Sequence, residues 1–258
     1  MKVAILAGGF GTRLSEETTI RPKPMVEIGG RPILWHIMKI YAAHGLRDFV
    51  VLGGYKVDFI RDYFLRYVRA SSDFTVDLST GELLWSRPQG EPWRVTVVDT
   101  GLETMTGGRI KRAREHLGAE PFCLTYGDGV TNVNISDLIA FHQRKGLACT
   151  VTAVTPPGRF GVLSLASDGE SVANFREKHD SDVGLINGGF FVCEPSVIDL
   201  IEGDATVWEQ QPMNRLAEQG QLASYRHRGF WQSMDTLRDR MLLEGLWERG
   251  TAPWKVWD

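Results

Sequence analysis

Gly8, Gly9 and Gly11 follow the apolar run Val3-Ala-Ile-Leu6, and Thr12 and Arg13 come directly after them. Glycine lets a backbone come within hydrogen-bond range of a ligand, and successive N–H groups there form a nest for anions. Arg13 adds a rigid fork of donors, and Lys23 further along adds a mobile point charge. Pro22 and Pro24 bracket Lys23 and forbid helix there, so its backbone is stiff and its ammonium is positioned. These residue types in this order suit the holding of phosphate.

Two common phosphate-binding patterns do not fit. The dinucleotide fingerprint G-x-G-x-x-G fails, because Gly9-Phe-Gly11 is followed three positions later by Leu14. That fingerprint also needs an acid at the end of the second strand to bind ribose, and here the strand ends in Gly53-Gly54-Tyr55. The triphosphatase loop G-x-x-x-x-G-K-[ST] fails for want of its Gly-Lys pair. What remains is a strand, the segment Gly8-Gly-Phe-Gly-Thr-Arg-Leu14, and then Arg21-Pro-Lys-Pro24.

The elements that must position these groups read as an α/β pattern. Val3–Leu6 is a short buried strand. Ile33, Leu34, Ile37, Ile40 and Tyr41 mark a helix with Pro32 in its first turn and Gly45 at its end. Phe49–Leu52 is a second strand and Asp58–Arg69 a second amphipathic helix. Strand then helix, twice, predicts right-handed βαβ units on a parallel sheet. Phe74–Leu78 and Leu83–Trp85 form a hairpin about Ser79–Glu82, and Arg94–Val98 returns to the main sheet. Gly107–Leu117 is a basic helix, Phe122–Tyr126 a strand, Asn134–Lys145 a helix, and Ala148–Thr155 the strand that completes a third βαβ unit. After Pro156-Pro157 come short strands, clearest at Gly161–Leu165 and Gly188–Val192, and two helices near Pro195–Ile201 and Thr236–Arg249.

The bulk numbers bound the partners. The chain has 258 residues, 43% hydrophobic and 24% charged, with 29 basic and 32 acidic side chains for a net charge of −3. Such a balance predicts no nucleic acid and no polybasic membrane anchor, so anions must be met by a local cluster. No apolar run approaches the roughly 18 residues of a spanning helix, and the first residues do not read as a signal peptide. Cys123, Cys149 and Cys193 are widely spaced and odd in number, which predicts reduced thiols and a cytoplasmic location.

The segment L-A-G-G-x-G-T-R-L followed by K-P-K-P or a close variant resembles the signature of the sugar nucleotidyltransferases. Ser15-Glu-Glu-Thr18, Pro22–Gly30 and Pro32-Ile-Leu-Trp-His36 make the spelling similar to the glucose-1-phosphate cytidylyltransferase branch. The likeness runs over essentially the whole chain, through Asp99-Thr-Gly101, Thr106–Arg109, Thr125–Gly129, Pro156–Gly161, Ile186–Phe191, Gly229–Gln232 and Met234-Asp-Thr236. It implies a Rossmann-like nucleotidyltransferase fold of class α/β, with a mixed, mostly parallel sheet flanked by helices and a smaller mixed part for sugar and C-terminus. The chain then reads as one domain over 1–258. Its nucleotide-binding half is 1–155, and 156–258 holds the sugar-binding half and a C-terminal oligomerisation region. The substrates implied are CTP and glucose 1-phosphate, the cofactor Mg²⁺, and the assembly a homo-oligomer.

In that family a sugar phosphate oxygen attacks the α-phosphorus of a nucleoside triphosphate and pyrophosphate leaves. The nucleophile is already an anion, so the protein has to align two polyanions and neutralise charge. The resemblance assigns Leu6, Ala7, Gly8, Gly9 and Phe10 to the nucleotide, and Gly11, Thr12 and Arg13 to the triphosphate, with Arg13 on the departing pyrophosphate. Lys23 lies on the reacting phosphates. Asp128, in Tyr126-Gly-Asp-Gly129 at the carboxyl end of a strand, sits where ligands bind in open α/β sheets. With Asp235 it makes a sparse oxygen site of the kind magnesium accepts. Asp235 also has the reading of a helix N-cap. Thr104 and Arg109 fall to the nucleotide, although Arg109, Lys111, Arg112 and Arg114 read equally as a solvated helix face. Gly161, Glu177, Lys178, Asn187 and Gly189 fall to the sugar phosphate. Here the chain departs from its relatives, which continue Glu-Lys-Pro where this one has Glu177-Lys178-His179-Asp180. The alternatives are the same chemistry with UTP, dTTP or another sugar phosphate, and a non-catalytic nucleotide-sugar-binding homologue. His36, His44, His116 and His142 lack metal-ligand spacing and read as surface or helix-end residues. Trp247, Trp254 and Trp257 crowd the C-terminus, where an exposed aromatic tail would signal a subunit contact.

Overall fold

The computed structural model describes residues 1–86, 90–156, 162–165, 172–176 and 184–257. β1 (Lys2–Ala7) is apolar on both faces, as a central parallel strand must be. It leads through a 3-10 turn (Thr12–Leu14) into the single turn α1 (Ser15–Thr18). A second 3-10 turn (Lys23–Met25) precedes the ribbon of β2 (Glu27–Ile28) and β3 (Arg31–Pro32). Then come α2 (Ile33–Ala43), β4 (Asp48–Gly53), α3 (Val57–Ala70), the hairpin β5 (Asp73–Asp77) and β6 (Glu82–Ser86), and β7 (Arg94–Asp99). The former basic-helix segment is α4 (Thr106–Arg112) and α5 (Arg114–Leu117), followed by β8 (Phe122–Tyr126), β9 (Gly129–Thr131), α6 (Ile135–Lys145) and β10 (Cys149–Val154). The remainder holds β11 (Val162–Leu165), β12 (Val172–Arg176), β13 (Ile186–Cys193), a 3-10 helix (Pro195–Leu200), α7 (Gln211–Glu218), β14 (Leu222–Arg226), β15 (Trp231–Ser233) and α8 (Leu237–Glu248).

Seven strands form the central sheet in the order β14-β10-β13-β8-β1-β4-β7. β1 pairs in parallel with both β4 and β8, and β4 with β7. β13 inserts antiparallel between β8 and β10. The sheet is therefore mixed and mostly parallel, in the Rossmann-like α/β manner. The β8–α6–β10 crossover skips one place, and a strand from late in the chain fills it. Alternate residues of β1 feed two cores, Val3 and Ile5 on one face, Ala4 and Leu6 on the other. No helix among the described residues is long and apolar enough to cross a membrane.

Four local readings need correction. The helix expected over Gly107–Leu117 breaks at Ala113 (φ −89, ψ 3), where the basic side chains are drawn onto the loop after the Pro195 helix. Lys111 donates to the carbonyls of Ile201 and Glu202, and Arg112 forks onto Asp204 at 2.8 and 2.6 Å. Pro32 precedes α2 as its N-cap residue instead of standing within its first turn. α7 and β14 lie where the spacing announces no element. His36 and His142 are buried instead of exposed: His142 packs on β10 through Thr150, and His36 is covered from the C-terminal side.

The C-terminal tryptophans explain His36. Trp247 packs edge-on against its ring at 4.7 Å, and Trp254 is fully buried beside it. The aromatic tail is thus folded onto its own α2, and the condition of an exposed tail does not hold. His36 Nε2–H donates to the Ile28 carbonyl at 2.8 Å, which leaves Nδ1 to accept from the Trp254 indole N–H at 3.4 Å. A second ring proton would face a donor. Burial pushes its pKa from 6.5 down to about 4, outweighing the favourable carbonyls of Ile28 and Arg31. Since the folded value lies below the unfolded one, the stability from neutral His36 is full above pH 6.5 and is lost as pH falls towards 4. The loss amounts to about 3 kcal/mol. Urea denaturation from pH 7 to 4 should show this fall, and His36→Gln, which cannot titrate, should flatten it.

Candidate functional site

The cleft lies at the carboxyl edge of the paired strands β1 and β8, where Leu6 stands opposite Tyr126. Its volume is about 780 Å³. The parallel pairing sets two loops side by side: Gly8–Thr12 after β1 and Gly127-Asp128 after β8. The Gly127 N–H donates to the Leu6 carbonyl at 2.9 Å and locks them together.

Across this cleft the Lys23 ammonium bridges two carboxylates. Nζ lies 2.6 Å from Asp128 Oδ2 and 2.7 Å from Asp235 Oδ1. Burial is the largest single influence on Lys23 and works against its charge. The two carboxylates together outweigh it and lift its pKa above the ordinary lysine value. Lys23 is therefore held charged. Asp235 is brought opposite Asp128 by the β9–β15 ribbon, with the Met234 N–H donating to the Asp128 carbonyl at 2.8 Å. The N-cap of α8 is Thr236, in a capping box with Asp239, so the capping reading of Asp235 is overtaken by its neighbour. Ser233 Oγ donates to the second oxygen of Asp235 at 3.0 Å.

Arg109 is built into the floor of the cleft. Nη1 donates to the Gly53 carbonyl at 3.2 Å, Thr100 Oγ1 at 2.7 Å and the Gly101 carbonyl at 2.7 Å. Nη2 donates to the carbonyls of Gly8 at 3.0 Å and Leu102 at 3.2 Å. One guanidinium thus ties together the ends of β1 and β4 and the loop after β7. A Cβ at Gly8 would stand 2.3 Å from Arg109 Nη1, and one at Gly54 2.2 Å from it. Glycine at these positions is needed for the arginine itself. Arg109 is buried, so the solvated-face reading does not hold for it.

Around the same cleft stand Leu6, Ala7, Gly8, Gly9, Phe10, Gly11, Thr12, Lys23, Thr104, Arg109, Asp128, Asn187, Gly189 and Asp235. Residues from Leu6 to Asp235, nearly the length of the chain apart, are brought to one cleft. The backbone of Arg13 lies in the Thr12–Leu14 turn, next to the cleft-lining Thr12, and its side chain lies outside what is described. Gly161, Glu177, Lys178, His179 and Asp180 lie outside the described residues. On the side of Asn187 the spacing does not reveal a small polar network. Asn187 Nδ2 donates to the Tyr126 hydroxyl at 3.0 Å, and Asn187 Oδ1 accepts from the Gly189 N–H at 2.8 Å. Burial and the neighbouring Glu209 carboxylate raise the Tyr126 pKa, so its hydroxyl stays protonated. Glu209 also accepts from Thr106 Oγ1 at 2.7 Å. Tyr126 adjoins the Gly-Asp-Gly motif, the one local signal that points to it; Glu209 carries no local signal.

Two converging carboxylates could hold a divalent cation. Among the described residues no group of three or more acidic, His or Cys side chains is arranged for a metal. The Lys23 ammonium is the stand-in cation that shows the two oxygens meeting at one point. A hard ion with two protein oxygens, completed by water and substrate oxygens, fits such a pair.

The family described as nucleotidyl transferase matches residues 2–236. The glucose-1-phosphate cytidylyltransferase of Salmonella typhimurium is 54% identical, with all of both chains covered. The probable glucose-1-phosphate cytidylyltransferase of Bacillus subtilis is 47% identical, again over all of both. The crystal structure of HddC from Yersinia pseudotuberculosis superposes with a TM-score of 0.70 at 22% identity, covering 95% of this chain and 99% of that one, and shares the fold.

The Arg109 web makes its own test. Replacing Arg109 by Met strips several buried carbonyls of their donor, at about 1–3 kcal/mol for each group left unsatisfied. The urea midpoint should fall sharply, and Arg109→Lys, with fewer donors and no fork, should restore only part of it.

Proposed function

From the premise that this chain belongs to the nucleotidyl transferase family, we propose that it makes CDP-glucose and pyrophosphate from CTP and α-D-glucose 1-phosphate. The observation that carries the reading is the Lys23 ammonium set between Asp128 and Asp235 beside the Gly8–Thr12 loop. The full-length likeness to enzymes named for this reaction supports the choice of substrates.

The step is a substitution at phosphorus. A phosphate oxygen of the sugar phosphate forms a bond to the α-phosphorus of CTP, and the bond to the bridging α,β-oxygen breaks. Pyrophosphate leaves with that electron pair. No proton has to be removed from the nucleophile, which is anionic at neutral pH. The residues supply alignment and charge. Backbone N–H groups of the glycine loop receive the triphosphate, with Arg13 assigned to its departing end. Lys23, held charged, stands to neutralise the reacting phosphoryl group. Asp128 and Asp235 would hold Mg²⁺, which when bound offsets charge on the triphosphate. Thr104 lines the cleft on the side expected for the base, above the floor made by Arg109. Asn187 and Gly189 line it on the side expected for the sugar phosphate.

Pyrophosphate release should be measured with glucose 1-phosphate, magnesium and each of CTP, UTP, dTTP, ATP and GTP. The expected result is release with CTP, reduced roughly 10²–10³-fold in Lys23→Met, the size of a lost oxyanion donor. Release with another nucleotide would move the base assignment, and silence across nucleotides and a panel of sugar phosphates would overturn the reading.

A further inference from the structure

The glycine loop is gripped by residues that do not line the cleft. Thr18 closes it from within: its buried hydroxyl donates to the carbonyls of Gly11 at 3.1 Å and Leu14 at 3.0 Å. Gly11 has φ +65, and a Cβ there would meet Thr18 Cγ2 at 2.7 Å, so the ring closes only on glycine. From outside, the hydroxyl of Tyr55 donates to the Thr18 carbonyl at 3.2 Å. Lys56 Nζ donates to the carbonyl of Thr19 and, at 3.5 Å, to that of Thr18. The Tyr55 N–H takes the Gly8 carbonyl at 3.1 Å, and its ring lies 5.3 Å from that of Phe10. Two consecutive residues therefore seize the start, the tip and the end of one loop.

The backbone is bent to allow it. Lys56, with φ 52 and ψ 39, is the one non-glycine residue with positive φ among the described residues. An L-residue enters that region only when its surroundings impose it, and such residues gather where a site needs fixed geometry. The direction of the pins has a consequence. In a trans peptide the C=O of one residue and the N–H of the next point to opposite sides. Pinning the carbonyls of Gly8 and Gly11 turns the N–H groups of Gly9 and Thr12 away from the pins, and Gly9 and Thr12 line the cleft.

We propose that Tyr55 and Lys56 are positioning residues for a triphosphate: they act through the Thr18 and Thr19 carbonyls to preset the loop whose N–H groups receive it. The proposal rests on the reading that this cleft binds a nucleoside triphosphate. Presetting a loop lowers the ordering that binding must otherwise accomplish, so its loss falls on affinity for the polyphosphate.

The test separates backbone from side chain. Lys56→Gly relieves the left-handed strain while deleting the ammonium; Tyr55→Phe keeps the ring and deletes the hydroxyl; Lys56→Arg keeps a cation. The double variant Tyr55→Phe/Lys56→Gly should melt no lower than the parent, exchange amide hydrogens faster over residues 11–20, and bind inorganic tripolyphosphate about tenfold more weakly. KM for CTP should rise by a similar factor, KM for glucose 1-phosphate should stay within twofold, and Lys56→Arg should recover most of the loss. Unchanged tripolyphosphate affinity in the double variant would overturn the proposal, as would a parallel rise in both KM values. Should the parent protein turn over no CTP, the functional reading fails, and the tripolyphosphate and exchange arms still decide the role of the two residues.

Discussion

A single ammonium shared by two carboxylates organises this cleft. Lys23 lies 105 residues from Asp128 and 212 from Asp235, yet its nitrogen stands within hydrogen-bond reach of both. A cation largely withdrawn from water is held most favourably when paired and hydrogen-bonded, and removing a partner leaves part of its charge uncompensated. Every neighbouring element serves that contact. The prolines around Lys23 fix its backbone, the β1–β8 pairing brings its loop beside Asp128, and the β9–β15 ribbon delivers Asp235.

Charge is managed locally throughout. A chain with a net charge of only −3 has no general field with which to gather polyanions, so donors must be concentrated where the anions go. The protein does this in two different ways. Lys23 faces the cleft and is held charged by carboxylates. Arg109 spends much of its donor capacity on carbonyls of the surrounding loops and so shapes the cleft from beneath. The two residues look alike in a list of cations and do different work.

Much of the fold was legible because parallel strands and their covering helices announce themselves through apolar runs and periodicity. Val3–Leu6, Phe49–Leu52, Phe122–Tyr126 and the helices after them fall where spacing puts them, within a residue or two. Apart from the one-residue shift of Pro32 at the start of α2, what misled was a partner distant in sequence. The basic run at 109–114 reads as a continuous exposed helix until Asp204 and the Ile201 and Glu202 carbonyls are placed beside it. His36 reads as a helix-end histidine until Trp247 and Trp254 close over it. β14 has no local signature strong enough to stand without β10 to pair with.

For the cleft, the residue types and local geometry were settled by the chain itself: glycines that free a backbone, prolines that stiffen one, and a carboxylate between glycines at the end of a strand. These are short-range effects, and short-range effects survive in a linear reading. Which groups meet, and what each does once there, came only from the tertiary structure. Gly8 has no Cβ because a guanidinium 101 residues away occupies the space, and Asp235 faces Lys23 because Thr236 takes the helix cap. Hydrogen bonds and steric exclusion act over a few ångströms, and only the folded chain determines which residues come within that distance.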